Sequence, residues 1–304
     1  MRVKLLSVVL VTAAVLSSCA QAPKQAIEIT VNDVITTRVQ STEASKFSRV
    51  VALANGSAEI IDSLGLKRIL IGRDIASTEP SMKLVPIVTS GHQVVAEKII
   101  ALNPDLVIID SSVGPATAVT ALKSAGIRVE LITEVWTVGA ISKKVEEVAS
   151  LLGVASTGRE LANEIDSTIS SASEKVSGKP RVLFLYLRGG NSIYLVGGSG
   201  SGADSILDAV GAIDVGATNG SKPFTPLSAE SLIAMKPDVI LVMIKGLESV
   251  GGVAGLIELP GVAQTPAGHN ARIIAVDDSL LLSFGARTPS LLTQLATALN
   301  EVRK

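Results

Sequence analysis

Ala96-Glu97-Lys98-Ile99-Ile100-Ala101-Leu102-Asn103-Pro104-Asp105-Leu106-Val107-Ile108 returns 133 residues later as Ala229-Glu230-Ser231-Leu232-Ile233-Ala234-Met235-Lys236-Pro237-Asp238-Val239-Ile240-Leu241, with six of thirteen positions identical. Each copy reads as a short helix running into a strand. A Glu at the helix start suits the positive end of the helix dipole, and Pro-Asp ends the helix ahead of an apolar run. The chain is therefore built twice. A duplicated α/β unit puts a ligand site where the halves meet, because pockets favour domain junctions and the carboxyl ends of parallel strands.

Working outward, apolar runs at 50–53, 68–71, 106–109 and 129–132 read as buried strands, with amphipathic segments near 58–65, 95–102 and 115–125 between them. Such alternation predicts a mostly parallel sheet. The theme repeats with strands at 182–186, 239–243 and 272–276 and helices near 203–210, 229–235 and 288–301. Between the two halves, Ile141, Val145, Val148, Leu152, Leu161, Ile165 and Ile169 fall at three- and four-residue spacing. That predicts one long connecting helix, about 50 Å at 1.5 Å per residue, with Gly153 and Gly158 as the points where it could bend or break. The expected fold is α/β: two Rossmann-like lobes, 48–137 and 178–304, with mostly parallel sheets, joined by a helix over 138–177.

At the amino end, Arg2 and Lys4 precede an uncharged run over 5–16 and then Leu16-Ser17-Ser18-Cys19, the layout of a secretory signal. The run is too short to span a bilayer. Small residues before the single cysteine resemble a lipobox, so 1–18 read as a signal peptide and Cys19 as the lipidated residue; the alternative is an ordinary signal with an incidental cysteine. Stable anchoring takes two acyl chains. Residues 19–47, rich in Gln, Thr and Ser, then read as a polar tether at the extracytoplasmic face of the cell membrane. A net charge of −1 with both signs scattered argues against nucleic acid as a partner. One cysteine excludes an internal disulfide. One Trp, two Tyr and four Phe argue against a sugar cleft lined by stacking rings.

Tyr186 and Arg188 stand two apart in the apolar run Val182-Leu183-Phe184-Leu185-Tyr186-Leu187-Arg188, so both leave the same face of a strand. A guanidinium beside a phenol favours the phenolate by charge and hydrogen bonding, and tyrosinate is an axial ligand of haem iron. The alternative is a strand end where Tyr packs and Arg reaches solvent. His92 follows Gly91 in the loop before the first repeat copy, on the rim expected to face the cleft, and reads either as a ligand or as a solvated side chain. His269, in the turn-rich Pro266-Ala267-Gly268-His269-Asn270, reads as surface. Two histidines and no cysteine cluster are too few for a zinc site or a histidine triad. Gly198-Ser199-Gly200-Ser201-Gly202-Ala203 loosely matches a dinucleotide fingerprint and opens a helix whose N-terminus could face a carboxylate. An exported chain without a Lys-Ser or Lys-Thr after these glycines speaks against a nucleotide. Glu97 and Glu230 are either helix-start carboxylates alone or a matched pair offered to a partner with paired arginines.

Ser90-Gly91-His92 leading into Ala96-Glu97, Tyr186-Leu187-Arg188, Gly200-Ser201-Gly202-Ala203-Asp204-Ser205, Lys236-Pro237-Asp238, Lys245-Gly246-Leu247-Glu248-Ser249 and Ser283-Phe284-Gly285-Ala286-Arg287-Thr288-Pro289 together resemble the haem-binding lipoproteins of haemin ABC importers, the HmuT type, over nearly the whole mature chain. The resemblance implies a class III periplasmic-binding-protein-like fold, no catalysis, and ferric haem (haem b) as the carried ligand. It implies His92 and Tyr186 as the axial ligands, Arg188 hydrogen-bonded to the phenolate, and Met243 in the pocket wall. Where that family can carry a second pocket tyrosine, this chain has Phe224 or Pro223; Tyr194 is a substitute that reads more naturally as wall or core. It further implies a monomer docking through Glu97 and Glu230 on an ABC permease dimer with its ATPase. The same fold carrying a ferric siderophore or corrinoid is the alternative. A lipid-anchored hydrolase using a serine with His92 or His269, and a purely structural or adhesive lipoprotein, are the readings from other classes.

Overall fold

The computed structural model describes residues 25–91, 93–172, 176–189, 193–220 and 222–304. Strand β1 (Ile27–Ile29) opens it, followed by β2 (Val50–Ala52), β3 (Leu70–Arg73), the ribbon of β4 (Thr89–Ser90) with β5 (Gln93–Val94), β6 (Leu106–Ile109) and β7 (Val129–Leu131). The first lobe is an all-parallel sheet in the order β3-β2-β6-β7. Then come β8 (Arg181–Arg188), β9 (Ile193–Gly197), β10 (Ile213–Asp214), β11 (Phe224–Pro226), β12 (Val239–Met243) and β13 (Ile273–Val276). They form the second sheet in the order β1-β13-β12-β8-β9-β11, with β10 also beside β8. Its pairs are parallel except at β9, which runs antiparallel to both β8 and β11.

The apolar runs are nearly continuous because parallel strands are covered on both faces. Alternate residues then serve different cores. Val50, Ala52, Leu106, Ile108, Val182, Phe184, Leu241, Met243, Ile274 and Val276 belong to one cluster shared by both lobes. Val51, Val107 and Ile109 fill the outer face of the first lobe, and Leu183, Leu185, Ile240 and Val242 that of the second. The duplicated helices are Ala96–Ala101 and Ala229–Met235, each running into its parallel strand as the repeat predicts.

Two expectations are corrected. The long helix over 138–177 is two helices, Ile141–Leu152 and Ala155–Ala172, with Gly153 in the left-handed region at φ 85° between them, where glycine sits without steric cost. The second helix folds back along the first: the Ser142 hydroxyl meets the Asp166 carboxylate. It also packs on the helix Thr288–Glu301 of the second lobe. The crossover is thus a hairpin whose spanning arm has 18 residues, about 27 Å at 1.5 Å per residue, and not one 50 Å rod.

Nor is the stretch up to residue 47 a free tether, from residue 25 on. β1 pairs with β13 in parallel, Ile27 opposite Ile274 and Ile29 opposite Val276. The chain then straps both lobes: Thr37 N donates to Ala286 O at 3.1 Å, Val39 N to Ser63 O at 2.9 Å and Lys46 N to Leu152 O at 2.8 Å. Its polar side chains serve the fold, as when the Glu43 carboxylate accepts from Thr157 N at 3.0 Å.

A buried ionic weld joins the two lobes. Arg287 donates from Nε to Glu59 Oε2 at 2.9 Å and from its backbone N to Glu59 Oε1 at 2.5 Å, and its Nη2 faces Glu79 Oε1 at 2.9 Å. Burial and the neighbouring Glu59 carboxylate push Glu79 well above the usual carboxylate range, against the pull of Arg287. Lys144, 2% exposed, donates to the carbonyls of Ser283 at 3.2 Å and Phe284 at 3.0 Å, and burial pushes it down to about 8. Gly56, at φ 70°, lies so close to the Ser283 carbonyl that any Cβ would collide with it.

Candidate functional site

Between the lobes lies a cleft of about 560 Å³, within the range of small-molecule sites. Leu53 and Asn55 follow β2, Asp74 and Ile75 follow β3, and Ser112 and Val113 follow β6; with Trp136 they make the first-lobe wall. The second-lobe wall takes Arg188 from the end of β8, Met243 from the end of β12, and Asp278, Ser279, Leu282 and Ser283 from beyond β13. Carboxyl ends of parallel strands thus face each other from both sides. Asp74 is held by Ala76 N at 3.0 Å and Ser77 N at 3.2 Å, while burial pushes its carboxyl up.

On β8 the side-chain alternation puts Tyr186 and Arg188 together. Arg188 Nε donates to Tyr186 Oη at 3.0 Å, and the guanidinium stands 5.5 Å from the ring centroid. Arg188 Nη2 lies 3.5 Å from Asp278 Oδ1, and Asp278 Oδ2 accepts from Lys245 N at 3.2 Å. A carboxylate therefore orients a guanidinium that in turn orients a phenol. Arg188 is part of the cleft wall, whereas Tyr186 is half-buried just beside it, one hydrogen bond from that wall. Phe224 stands edge to face on Tyr186 with centroids 5.4 Å apart. Met243 is a cleft-wall residue and is almost completely buried.

Tyr194 is not in the pocket. β8 and β9 pair Tyr186 with Leu195 and Leu187 with Tyr194, so Tyr194 leaves the opposite face and packs with the outer core of the second lobe. Its hydroxyl is buried with no hydrogen-bond partner among the described residues, and burial pushes it up to about 12. His92 and Cys19 lie outside the described residues; Gly91, next to His92, is on the first-lobe wall. His269 is exposed at the end of the short helix Pro266–His269. The glycine loop needs no external anion: the chain's own Asp204 carboxylate accepts from Gly200 N at 2.8 Å and Gly202 N at 3.0 Å.

Glu97 and Glu230 are exposed second residues of the duplicated helices. In the second copy the cap is Ser228, whose hydroxyl accepts from Ser231 N at 3.2 Å. Hydrogen bonds from its own backbone N–H and from Ser228 hold the Glu230 carboxyl below the usual range. Asp278, Lys245 and Trp136 are cleft residues that sequence reasoning missed. The strand-end position of Asp277-Asp278 was the available signal for the first, but its partner Arg188 is 90 residues away.

A ligand-sized cleft at the carboxyl ends of two sheets, spanned by a helical crossover, defines a two-lobe binding protein of the helix-linked class. Residues 50–280 match the family described as periplasmic binding protein, and the chain belongs to that family. The fold is similar to the periplasmic heme-binding protein RhuT from Roseiflexus sp. RS-1 in apo form, with a TM-score of 0.80 and 38% identity, covering 85% of this chain and 100% of that one. It is similar also to the heme-binding protein HmuT, with a TM-score of 0.77 and 31% identity over 90% and 94% of the two chains. Among sequence relatives, the Vitamin B12-binding protein of Vibrio campbellii is 28% identical over 193 residues, 63% of this chain and 69% of that one.

Proposed function

We propose that this chain is a lipid-anchored extracytoplasmic receptor that carries ferric haem b in its inter-lobe cleft and delivers it to an ABC permease dimer with its ATPase. The observation that carries the reading is the Tyr186–Arg188 hydrogen bond of 3.0 Å at the cleft wall. A tyrosine oxygen is an anionic ligand suited to ferric iron, and the Arg188 hydrogen bond fixes where that oxygen points. Leu53, Val113, Trp136, Met243 and Leu282 supply an apolar lining for a porphyrin, while Arg188 and Lys245 supply positive charge for its carboxylates. His92 closes on the iron from beside Gly91, Cys19 holds the lipid, and Glu97 and Glu230 dock one on each half of the permease. Solved proteins of this shape whose names give heme as their ligand support the choice of cargo.

The corrinoid reading has one observation in its favour, the relatives named for vitamin B12. It gives the Tyr186–Arg188 pair no task. Titrating the soluble protein beginning after Cys19 with haemin and with cyanocobalamin separates the two. The expected result is a saturable one-to-one haemin complex with a shifted Soret band, altered in Tyr186→Phe; cyanocobalamin binding without a haemin complex overturns the haem reading.

A further inference from the structure

The two repeat copies share more of their surface than the glutamates. Five matched positions of the copied helix ends are exposed in both lobes: 97 with 230, 98 with 231, 100 with 233, 101 with 234 and 103 with 236. Three pairs are identical, Glu97 with Glu230, Ile100 with Ile233 and Ala101 with Ala234; two differ, Lys98 with Ser231 and Asn103 with Lys236. The identical positions are i, i+3 and i+4 of a helix, which form one face; Lys98 and Ser231 stand at its flank, and Asn103 and Lys236 fall beyond the last helical residues, both at positive φ. Ile100 and Ile233 are 40% and 39% exposed, whereas their neighbours Ile99 and Leu232 are fully buried. A single exposed isoleucine is ordinary. Two at the same place in both copies, equally exposed and each one turn from a carboxylate, are a matched surface.

Both faces lie near the cleft. A helix that leads back into a parallel strand starts at the carboxyl ends of the sheet. Val94, two residues before the first helix, lines the cleft, and Phe224, shortly before the second, packs on Tyr186. We infer that Glu97-Ile100-Ala101 and Glu230-Ile233-Ala234 are two equivalent composite contacts, a carboxylate beside an apolar ledge, for a two-fold symmetric permease dimer that offers each lobe a basic side chain next to an apolar patch. The inference rests on the proposed docking and supplies its apolar half. An ion pair left open to water contributes only about 0–1 kcal/mol and fades with salt. Apolar groups that seal the pair from solvent are what turn such a contact into an anchor.

The test measures binding of the mature protein to its permease–ATPase complex in lipid nanodiscs, across a salt series. Ile100→Ser with Ile233→Ser is expected to weaken binding about tenfold or more, and Ile100→Leu with Ile233→Leu to restore it. Glu97→Gln with Glu230→Gln is expected to weaken binding and flatten its salt dependence. Leu131→Ser, at an apolar residue 65% exposed elsewhere on the first lobe, leaves binding unchanged, and all variants keep the haemin spectrum and unfolding midpoint. If the glutamate pair matters and the serine pair binds like wild type, or the leucine pair fails to restore binding, the apolar ledge is wrong and the docking stands. If the glutamate pair has no effect, the docking reading itself falls.

Discussion

Arg287 and Arg188 are both ion-paired arginines of the second lobe, and their surroundings give them opposite tasks. Arg287 has 3% of its side chain exposed and meets two carboxylates at 2.9 Å each. Arg188 has 39% exposed and meets a phenol at 3.0 Å and one carboxylate at 3.5 Å. A buried cation that loses its partners, or leaves them behind, strands charge in a medium that solvates it poorly. A half-open one is solvated by water with or without its partner, and so retains capacity for an incoming anion. The two are mechanically linked: Ser283 in the cleft wall holds Lys144 through its carbonyl, and Arg287 lies four residues further on. The weld and the cleft wall are joined by the short turn from Ser283, at the end of one helix, to Arg287, at the cap of the next.

The largest expected effect tests the structural member. Arg287→Ala leaves Glu59 and Glu79 facing each other without their cation, and should cost about 3–5 kcal/mol in urea unfolding at neutral pH. Arg188→Ala should stay within about 1 kcal/mol. Equal losses would break the contrast. Next is the functional member: Tyr186→Phe should weaken haemin binding about tenfold or more, about 1.4 kcal/mol, and change the ligation spectrum while hardly moving the unfolding midpoint. Arg188→Gln should act in the same direction but less, because the phenol remains. A Tyr186→Phe protein with wild-type spectrum and affinity would move the iron ligand elsewhere.

These two sites were not equally legible in the sequence. Tyr186 and Arg188 meet because a strand alternates with period two, a local rule that works within one run of residues. Arg287 and Glu59 meet across 228 positions, and no spacing rule reaches that far. β1 was hidden because three residues, Ile-Glu-Ile, are too short to show a period; it is a strand only because β13 offers an edge. The crossover shows a third limit. Gly153 was visible, but both arms of a helical hairpin bury an apolar stripe, so the periodicity is the same whether the helix continues or folds back. Tyr194 depended on the register between two strands, and one residue of slip would have placed it on the cleft side.

A smaller effect sharpens the picture of the weld through pH. Glu79 is raised from 4.5 to about 8 in the folded protein by burial and by Glu59, so folding favours its protonated form. Its contribution to stability is therefore full below the ordinary carboxylate value and is lost as pH rises toward 8. Lys144 acts in a different window: its value falls from 10.5 to about 8, so the folded state binds fewer protons and stability recovers as pH rises from about 8 to 10.5. In urea unfolding at pH 5 and pH 8, Glu79→Gln should lose most of the decline seen in wild type, a difference of up to about 3 kcal/mol. No change in slope would mean that Glu79 is already ionised in the folded weld.

The smallest effect compares the two tyrosines across one pair of strands. Tyr186 has its hydroxyl bound by Arg188, whereas the Tyr194 hydroxyl is buried on the far face with no partner among the described residues. A buried donor without an acceptor has lost its water and gained nothing, so Tyr194→Phe removes a cost and leaves behind only the space of one oxygen. Those opposing changes should leave stability within about 1 kcal/mol of wild type, toward greater stability, and the haemin spectrum untouched. A clear destabilisation would show that the hydroxyl does find a partner. A changed spectrum would mean that β9 turns its tyrosine toward the cleft, and the register that separates the two faces of the second lobe would have to be redrawn.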